Sequence, residues 1–201
     1  MQERRRSNAE RSGTTRGALI AEARRLFVER GYAATSTPQL AAAAGLSRGA
    51  LYHQFADKPD LFRAVLATEA AAVAGAVEAV PVDGPPITAR AAGAEAYMRA
   101  MRHPGRTRLL LIDGPAVLGV EAMHGIDAQT AARTLADGIA AARPDLPPGD
   151  IAILAELLSA MFDRAALAVL AGGDADAHAR AAIRVLTDSV GGYGRSSDAS
   201  P

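Results

Sequence analysis

Apolar positions recur along this chain at helical spacing, and the breaks between the recurring stretches are short. Leu19, Ile20, Ala23, Leu26 and Phe27 repeat at intervals of three and four, and Gly31 follows as a stop. The pattern predicts a first helix from about Thr15 to Arg30. A second helix is expected over Pro38–Ala44, with Pro38 suited to the first helical position and Thr37 as N-cap. Ser36 with Gln39 offers a rival capping box one residue earlier. A short third helix follows Ser47, from Arg48 to about His53. A fourth starts after Asp57 and runs to about Val80, where Pro81-Val82-Asp83-Gly84-Pro85-Pro86 ends it. Beyond that, helices are predicted over about 88–103, 105–112, 116–142, 149–171 and 176–190. The punctuation is His103-Pro104-Gly105, Asp113-Gly114-Pro115, Pro144 to Gly149 and Gly172-Gly173.

The result is an all-α expectation of about nine helices. Composition supports it, because Ala is frequent and β-branched runs are scarce. The domains expected are a flexible polar arm over 1–13, a three-helix unit over 14–63, a larger helical bundle over 64–190 and a disordered Gly/Ser-rich tail over 191–201. With no Cys, neither a disulfide scaffold nor a thiolate metal site is available. No apolar run reaches a membrane span and no signal-peptide core is evident, so the expected location is cytoplasmic.

Net charge is zero over 201 residues, but it is unevenly placed. Residues 1–63 carry ten Arg and one Lys against four Glu and two Asp, net +5. The remainder carries eleven Arg against sixteen acids, net −5. A basic head on an acidic body points to a polyanionic partner at the N-terminal end.

The stretch Thr37-Pro38-Gln39-Leu40-Ala41-Ala42-Ala43-Ala44-Gly45-Leu46-Ser47-Arg48-Gly49-Ala50-Leu51-Tyr52-His53-Gln54-Phe55 has what two steeply crossing helices need. Ala41 is small where the second helix passes, and Gly45 supplies the positive φ of the turn. Leu40, Ala44, Leu46, Leu51 and Phe55 are expected to face inward. Arg48, Gly49, Ala50, Tyr52 and His53 are left outward, on a face able to enter a major groove. An ordinary αα-hairpin has the same spacing, so the polar, cationic outer face has to decide between the two. Lys58, the one Lys beside 21 Arg, begins the next helix and is a candidate phosphate ligand.

From Arg16 to about Leu66 these strings resemble the DNA-binding domain of TetR/AcrR-type bacterial regulators. The segments carrying the likeness are Ala23–Tyr32, Leu40–Tyr52 and Phe55–Leu61. Leu109 to Gly119 is similar to a subset of the same family. The resemblance implies an Ω-shaped homodimer, a DNA-binding head on each protomer and a ligand pocket in the body. It places Thr37, Arg48, Gly49, Ala50, Tyr52, His53 and Lys58 at the DNA. Arg48 is the candidate for a base edge, with Thr37, Tyr52 and Lys58 on phosphates. Arg4 to Arg6 would reach a minor groove or a phosphate, or remain a solvated tail.

The implied dimer pairs the last two helices with their symmetry mates. Leu154, Leu157, Leu158, Met161, Ala165 and Ala168 lie on one, and Ala179, Ala182, Ile183, Leu186 and Val190 on the other. Candidate pocket residues are Tyr97, Met98, Met101, Leu110, Asp113, Met123, His124 and Phe162, each of which also reads as ordinary core or surface. His103, His124 and Asp113 share no helical metal-ligand spacing, and no nucleotide-binding or hydrolase motif occurs, so no metal, cofactor or catalytic residue is expected. The functional expectation is a repressor bound to a pseudo-palindromic double-stranded operator and released by an unidentified small molecule. An activator or effector-independent regulator is the alternative, with a helical enzyme or adaptor behind it.

Overall fold

The computed structural model describes residues 2–81 and 86–191, with side chains from 12 to 81 and from 90 to 190. It is all-α among these residues: α1 (Gln2–Arg30), α2 (Thr37–Ala43), α3 (Arg48–Gln54), α4 (Lys58–Glu78), α5 (Pro86–Met101), α6 (Arg106–Arg108), a π-turn over Leu109–Asp113, α7 (Gly114–Leu118), α8 (Val120–Asp127), α9 (Ala131–Ala142), α10 (Pro148–Leu170) and α11 (Ala175–Gly191).

The head is α1 to α3 folded on the start of α4. Phe27, Tyr32 and Phe62 form an aromatic cluster with ring centroids 4.8 to 5.6 Å apart. Leu19, Leu26, Leu40, Leu51, Phe55, Leu61 and Val65 close the core around it. Burying these side chains contributes roughly 1.5–3 kcal/mol each, which is what holds three short helices at fixed angles. α4 continues out of the head and packs on α5, α7, α8 and α9, so one rigid helix belongs to both units. In the body, α10 packs on α9 and α11, and α11 packs on α5. The second core gathers Met98, Ile139, Leu158, Phe162, Ala182 and Leu186.

Four expectations change. The arm expected over 1–13 is helical from Gln2, continuous with α1. Gln, Glu, Arg and Ala are good helix formers there and no Pro interrupts them. The side chains of Arg4 to Arg6 and the tail beyond Gly191 lie outside the described residues. At the second helix the rival cap wins: α2 starts at Thr37, with Ser36 as N-cap. Gln39 Oε1 accepts from the Ser36 backbone N–H at 2.8 Å and from its hydroxyl at 2.9 Å.

Asp113-Gly114-Pro115 does not break the chain. Pro115 lacks an N–H and its ring crowds the carbonyl four residues back, and the wider π-turn over Leu109–Asp113 absorbs both. The break falls instead at Gly119, whose φ of 86° and ψ of 159° suit Gly alone. The expected helix over 116–142 is therefore α7, α8 and α9, and the helical segments outnumber the nine anticipated.

Candidate nucleic-acid interface

The α2–α3 unit is held from three sides. Gly45 turns the chain at φ +67°, and Leu46 N–H donates to Ala41 O at 2.9 Å. Ser47 caps α3 by accepting the Ala50 N–H at 3.2 Å. The far end of α3 is fastened to α1. Arg16 Nη1 donates to Gln54 O at 2.9 Å while its guanidinium lies 4.1 Å over the Phe55 ring, and Gln54 Nε2 donates to Ser12 Oγ at 3.0 Å. Arg16 therefore serves an end of α3 whose last carbonyls would otherwise have no partner. The sequence pattern did not single out Ser12, Arg16 or Gln54, because contacts between helices leave no trace in periodicity.

Leu40, Leu51 and Phe55 are buried as expected, and Ala44 and Leu46 are half-buried. The outer face carries Arg48, Gly49, Tyr52 and His53, all exposed, with Thr37 and Ala50 half-buried beside them. Thr37 Oγ1 is 3.4 Å from the Tyr52 hydroxyl, and the Arg48 guanidinium is 5.6 Å from the Tyr52 ring centroid. Thr37, with Arg48 behind it, holds the Tyr52 phenol below its ordinary pKa. A Cβ on Gly49 would meet only Ser47 Oγ, at 3.9 Å, so the surface here is open to an approaching backbone or phosphate. The face is polar, with Arg48 as its charged side chain and no acid on α3 itself, and the Asp57 carboxylate just beyond α3 acts on Tyr52 against Thr37 and Arg48.

Lys58 has a task within the head. Its ammonium donates to Tyr32 O and Thr35 O, both at 2.9 Å, and sits 4.0 Å over the Tyr32 ring. Burial pulls its pKa below the usual value. Lys58 thus pins the α1–α2 loop onto the start of α4, and one ammonium proton remains for another acceptor.

Head and body meet at an ion triad. Glu69, buried on α4, accepts from Arg24 Nε (2.9 Å) and Nη2 (3.1 Å) of α1 and from Arg106 Nε (3.0 Å) of α6. Burial favours the neutral acid, but the two guanidinium groups outweigh it and hold the Glu69 pKa below the usual range. Arg24 also donates to Pro104 O and Arg106 to Ala100 O.

The eight expected pocket residues do not share one cavity. Met101 and Leu110 belong to the head-side core, and Met98 and Phe162 to the body core. Met123 lies against Gly114, and His124 is exposed on the surface. Asp113 meets Arg108 at 3.3 Å. Tyr97 donates to Asp163 Oδ1 at 2.6 Å and stacks at 5.5 Å on Phe162. Met98 and Met101 line a cleft of about 290 Å³ between the end of α5, the segment after it and the end of α10.

Most of the expected interface stripe packs within the protomer. Leu158, Ala165, Ala182, Leu186 and Val190 are buried inside the protomer, and Leu154, Met161, Ala179 and Ile183 are half-buried against the same core. α10 and α11 use those positions on each other and on their neighbours. Leu157 of the same stripe is 64% exposed, with Ile153 one turn before it at 59% and Val185 of α11 at 47%. Among the described residues no group of acids and histidines has a metal-binding arrangement, and no helix is long and apolar enough to cross a membrane.

An all-helical chain with a capped, turn-linked α2–α3 pair and a cationic α3 ridge defines a helix-turn-helix DNA-binding regulator. The comparisons make the assignment specific. Residues 19–65 match the profile described as bacterial regulatory proteins, tetR family. Residues 87–193 match a Tetracyclin repressor-like C-terminal domain. The chain belongs to the TetR family of transcriptional regulators, a family of DNA-binding proteins rather than enzymes.

Among curated relatives, the HTH-type transcriptional repressor AcnR of Corynebacterium glutamicum is 41% identical over 31% of this chain and 34% of its own length. The HTH-type transcriptional repressor BepR of Brucella suis is 39% identical over 31% of this chain and 29% of its own length. The chain thus spans about a third of these relatives. A TetR-family regulator from Pectobacterium atrosepticum matches structurally with a TM-score of 0.67 and 29% identity, over 88% of this chain and 92% of that one. One from Syntrophomonas wolfei matches with a TM-score of 0.74 at 14% identity, over 90% and 97%, a likeness of fold.

Proposed function

We propose that this regulator is a homodimeric repressor that sets α3 of each head into successive major grooves of a pseudo-palindromic operator and is released by a small-molecule effector. The observation that carries the reading is the α3 ridge. The helix carries Arg48 and no acid of its own, its outer face is polar and exposed, and it is fixed by Ser47, by Gly45 and by Arg16 of α1. Arg48 faces a base edge, with Thr37, Tyr52 and His53 on flanking phosphates and Gly49 and Ala50 allowing close approach. Lys58 contributes its charge and its remaining proton to a phosphate near α4. Repression is favoured because relatives matched through the head carry the name repressor. The dimer forms through the outer faces of α10 and α11, around Ile153, Leu157 and Val185. The cytoplasm, where the operator is, is its place of action.

The test is a footprint on the DNA upstream of its own gene. Two protected half-sites about one helical turn (~34–36 Å) apart, with affinity falling steeply with salt, are expected. Protection that ignores sequence, or none at low salt, contradicts the proposal. Derepression of a reporter on deleting the gene separates repressor from activator.

A further inference from the structure

The body is acidic, yet the ten residues from Arg99 to Arg108 hold four Arg and His103 and no acid. Arg106 is paired with Glu69 and Arg108 with Asp113. Arg102 and His103 are exposed, and no described residue gives either side chain an acid or a hydrogen bond. Both line the cleft of about 290 Å³, whose apolar walls are Met98 and Met101 of α5 with Ala166, Val169 and Leu170 of α10. The volume is near the lower end of small-molecule sites, which run from ~300 Å³. Apolar walls under an acid-free cationic edge suit a ligand with a short hydrocarbon body and one negative head group. A neutral ligand would leave Arg102 unused, and a cationic one would meet it directly.

One wall of this cleft is also the body's contact with the head. Pro104 O accepts from Arg24 Nη2 at 2.9 Å. Gly105, at φ +79°, runs so close to α1 that a Cβ on it would fall 2.5 Å from Val28 Cγ2. Arg106 reaches Glu69, and Arg108 Nη2 would lie 3.3 Å from a Cβ on Gly31. Six consecutive residues, His103 to Arg108, thus face the cleft or the DNA-binding head, and several of them face both.

We infer that this cleft binds a small amphipathic carboxylate, and that the His103–Arg108 segment transmits its occupancy directly to α1. The inference rests on the regulator reading above and names its effector class and its route. The route runs through the segment's contacts with Arg24, Val28 and Gly31 and does not require α4 to bend. A ligand seated against Arg102 and His103 favours one position of the segment, and only that preference between two positions moves the heads.

The experiment uses the full chain with sodium octanoate and 1-octanol as probes. Calorimetry is expected to give saturable octanoate binding, one per protomer, with octanol weaker by about tenfold or more. The double variant Arg102→Gln, His103→Gln, altered only at exposed positions, is expected to bind octanoate about tenfold more weakly while its operator affinity without octanoate is unchanged. Octanoate is expected to shift operator affinity of the unmodified protein by about fivefold or more. Equal binding of octanol, no binding of octanoate, or full binding by the double variant overturns the site. Octanoate binding that leaves operator affinity unmoved overturns the route, and both failures leave DNA recognition standing. Loss of operator binding in every condition overturns the regulator reading itself.

Discussion

At the scale of single residues, Lys58 and Asp163 are informative because each sits where its charge is costly. Lys58 serves two loop carbonyls. Lys58→Ala removes both donors and the contact with the Tyr32 ring, so the head is expected to lose about 1–3 kcal/mol, read as a lower melting temperature without DNA. An unchanged melting temperature would leave Lys58 as a phosphate ligand only. Asp163 lies beside Tyr97 and the second carboxylate, Asp127, which is itself held by Ser159. Burial first, and the charge of Asp127 after it, raise the Asp163 pKa to about 6, against the Tyr97 hydrogen bond, which lowers it. A folded-state pKa raised above the unfolded value means that the folded chain holds its proton longer. The favourable contribution is complete below about pH 4 and is lost as pH rises through 6, roughly 3 kcal/mol for a shift of this size. Asp163→Asn is expected to flatten the stability profile between pH 4 and 7 and to be more stable than the native chain at pH 7.5. An identical slope in calorimetry at several pH values would contradict this. The lone Lys was conspicuous in the sequence, but its loop partners were not, because Tyr32 and Thr35 are 26 and 23 residues away. Nothing in the sequence ties Asp163 to its partners, which come from α5 and α8.

At the scale of elements, capping chemistry and glycines were legible and the joints between helices were not. Ser47, Asp57, Gly31 and Gly45 do in the structure what their local sequence implies. Local rules misplaced the break at Gly114-Pro115, because a π-turn can absorb a Pro where an α-turn cannot. They also left open which stripe positions of α10 and α11 the protomer itself buries. An apolar stripe announces burial but does not say against what, and in Ala-rich helices two faces look nearly alike. Glu69 was a signal left unread: an acid on the apolar side of α4, between Leu66 and Val73. Its neutral variant Glu69→Gln leaves Arg24 and Arg106 without their counter-charge across the joint. We expect a loss of about 3–5 kcal/mol in denaturant unfolding. A loss under about 1 kcal/mol would mean that the triad behaves as a surface ion pair.

At the scale of the whole molecule, a basic head and an acidic body share α4, and in the proposed dimer the body holds two heads at a fixed spacing. The charge division was visible in the sequence, and so was the head's fold; the subunit contact was not, because it depends on which side chains the protomer has already used. Leu157, 64% exposed, is a stripe position that the protomer leaves open. Leu157→Glu is expected to shift the chain from dimer to monomer in sedimentation while the protomer stays folded, and an unaffected dimer would place the contact elsewhere. Two weakly held half-sites make a tight operator only when the dimer joins them, so that variant should also lose operator affinity. The most direct test of DNA recognition by α3 is operator affinity by fluorescence anisotropy for the native chain and Arg48→Ala at one salt concentration. Arg48 is exposed, so its removal should leave the melting temperature unchanged. Specific affinity is predicted to fall by about thirtyfold or more, because the dimer loses two bidentate base contacts at ~1–3 kcal/mol each. Equal affinity of the two proteins for the operator would contradict the assignment of α3 as the recognition helix.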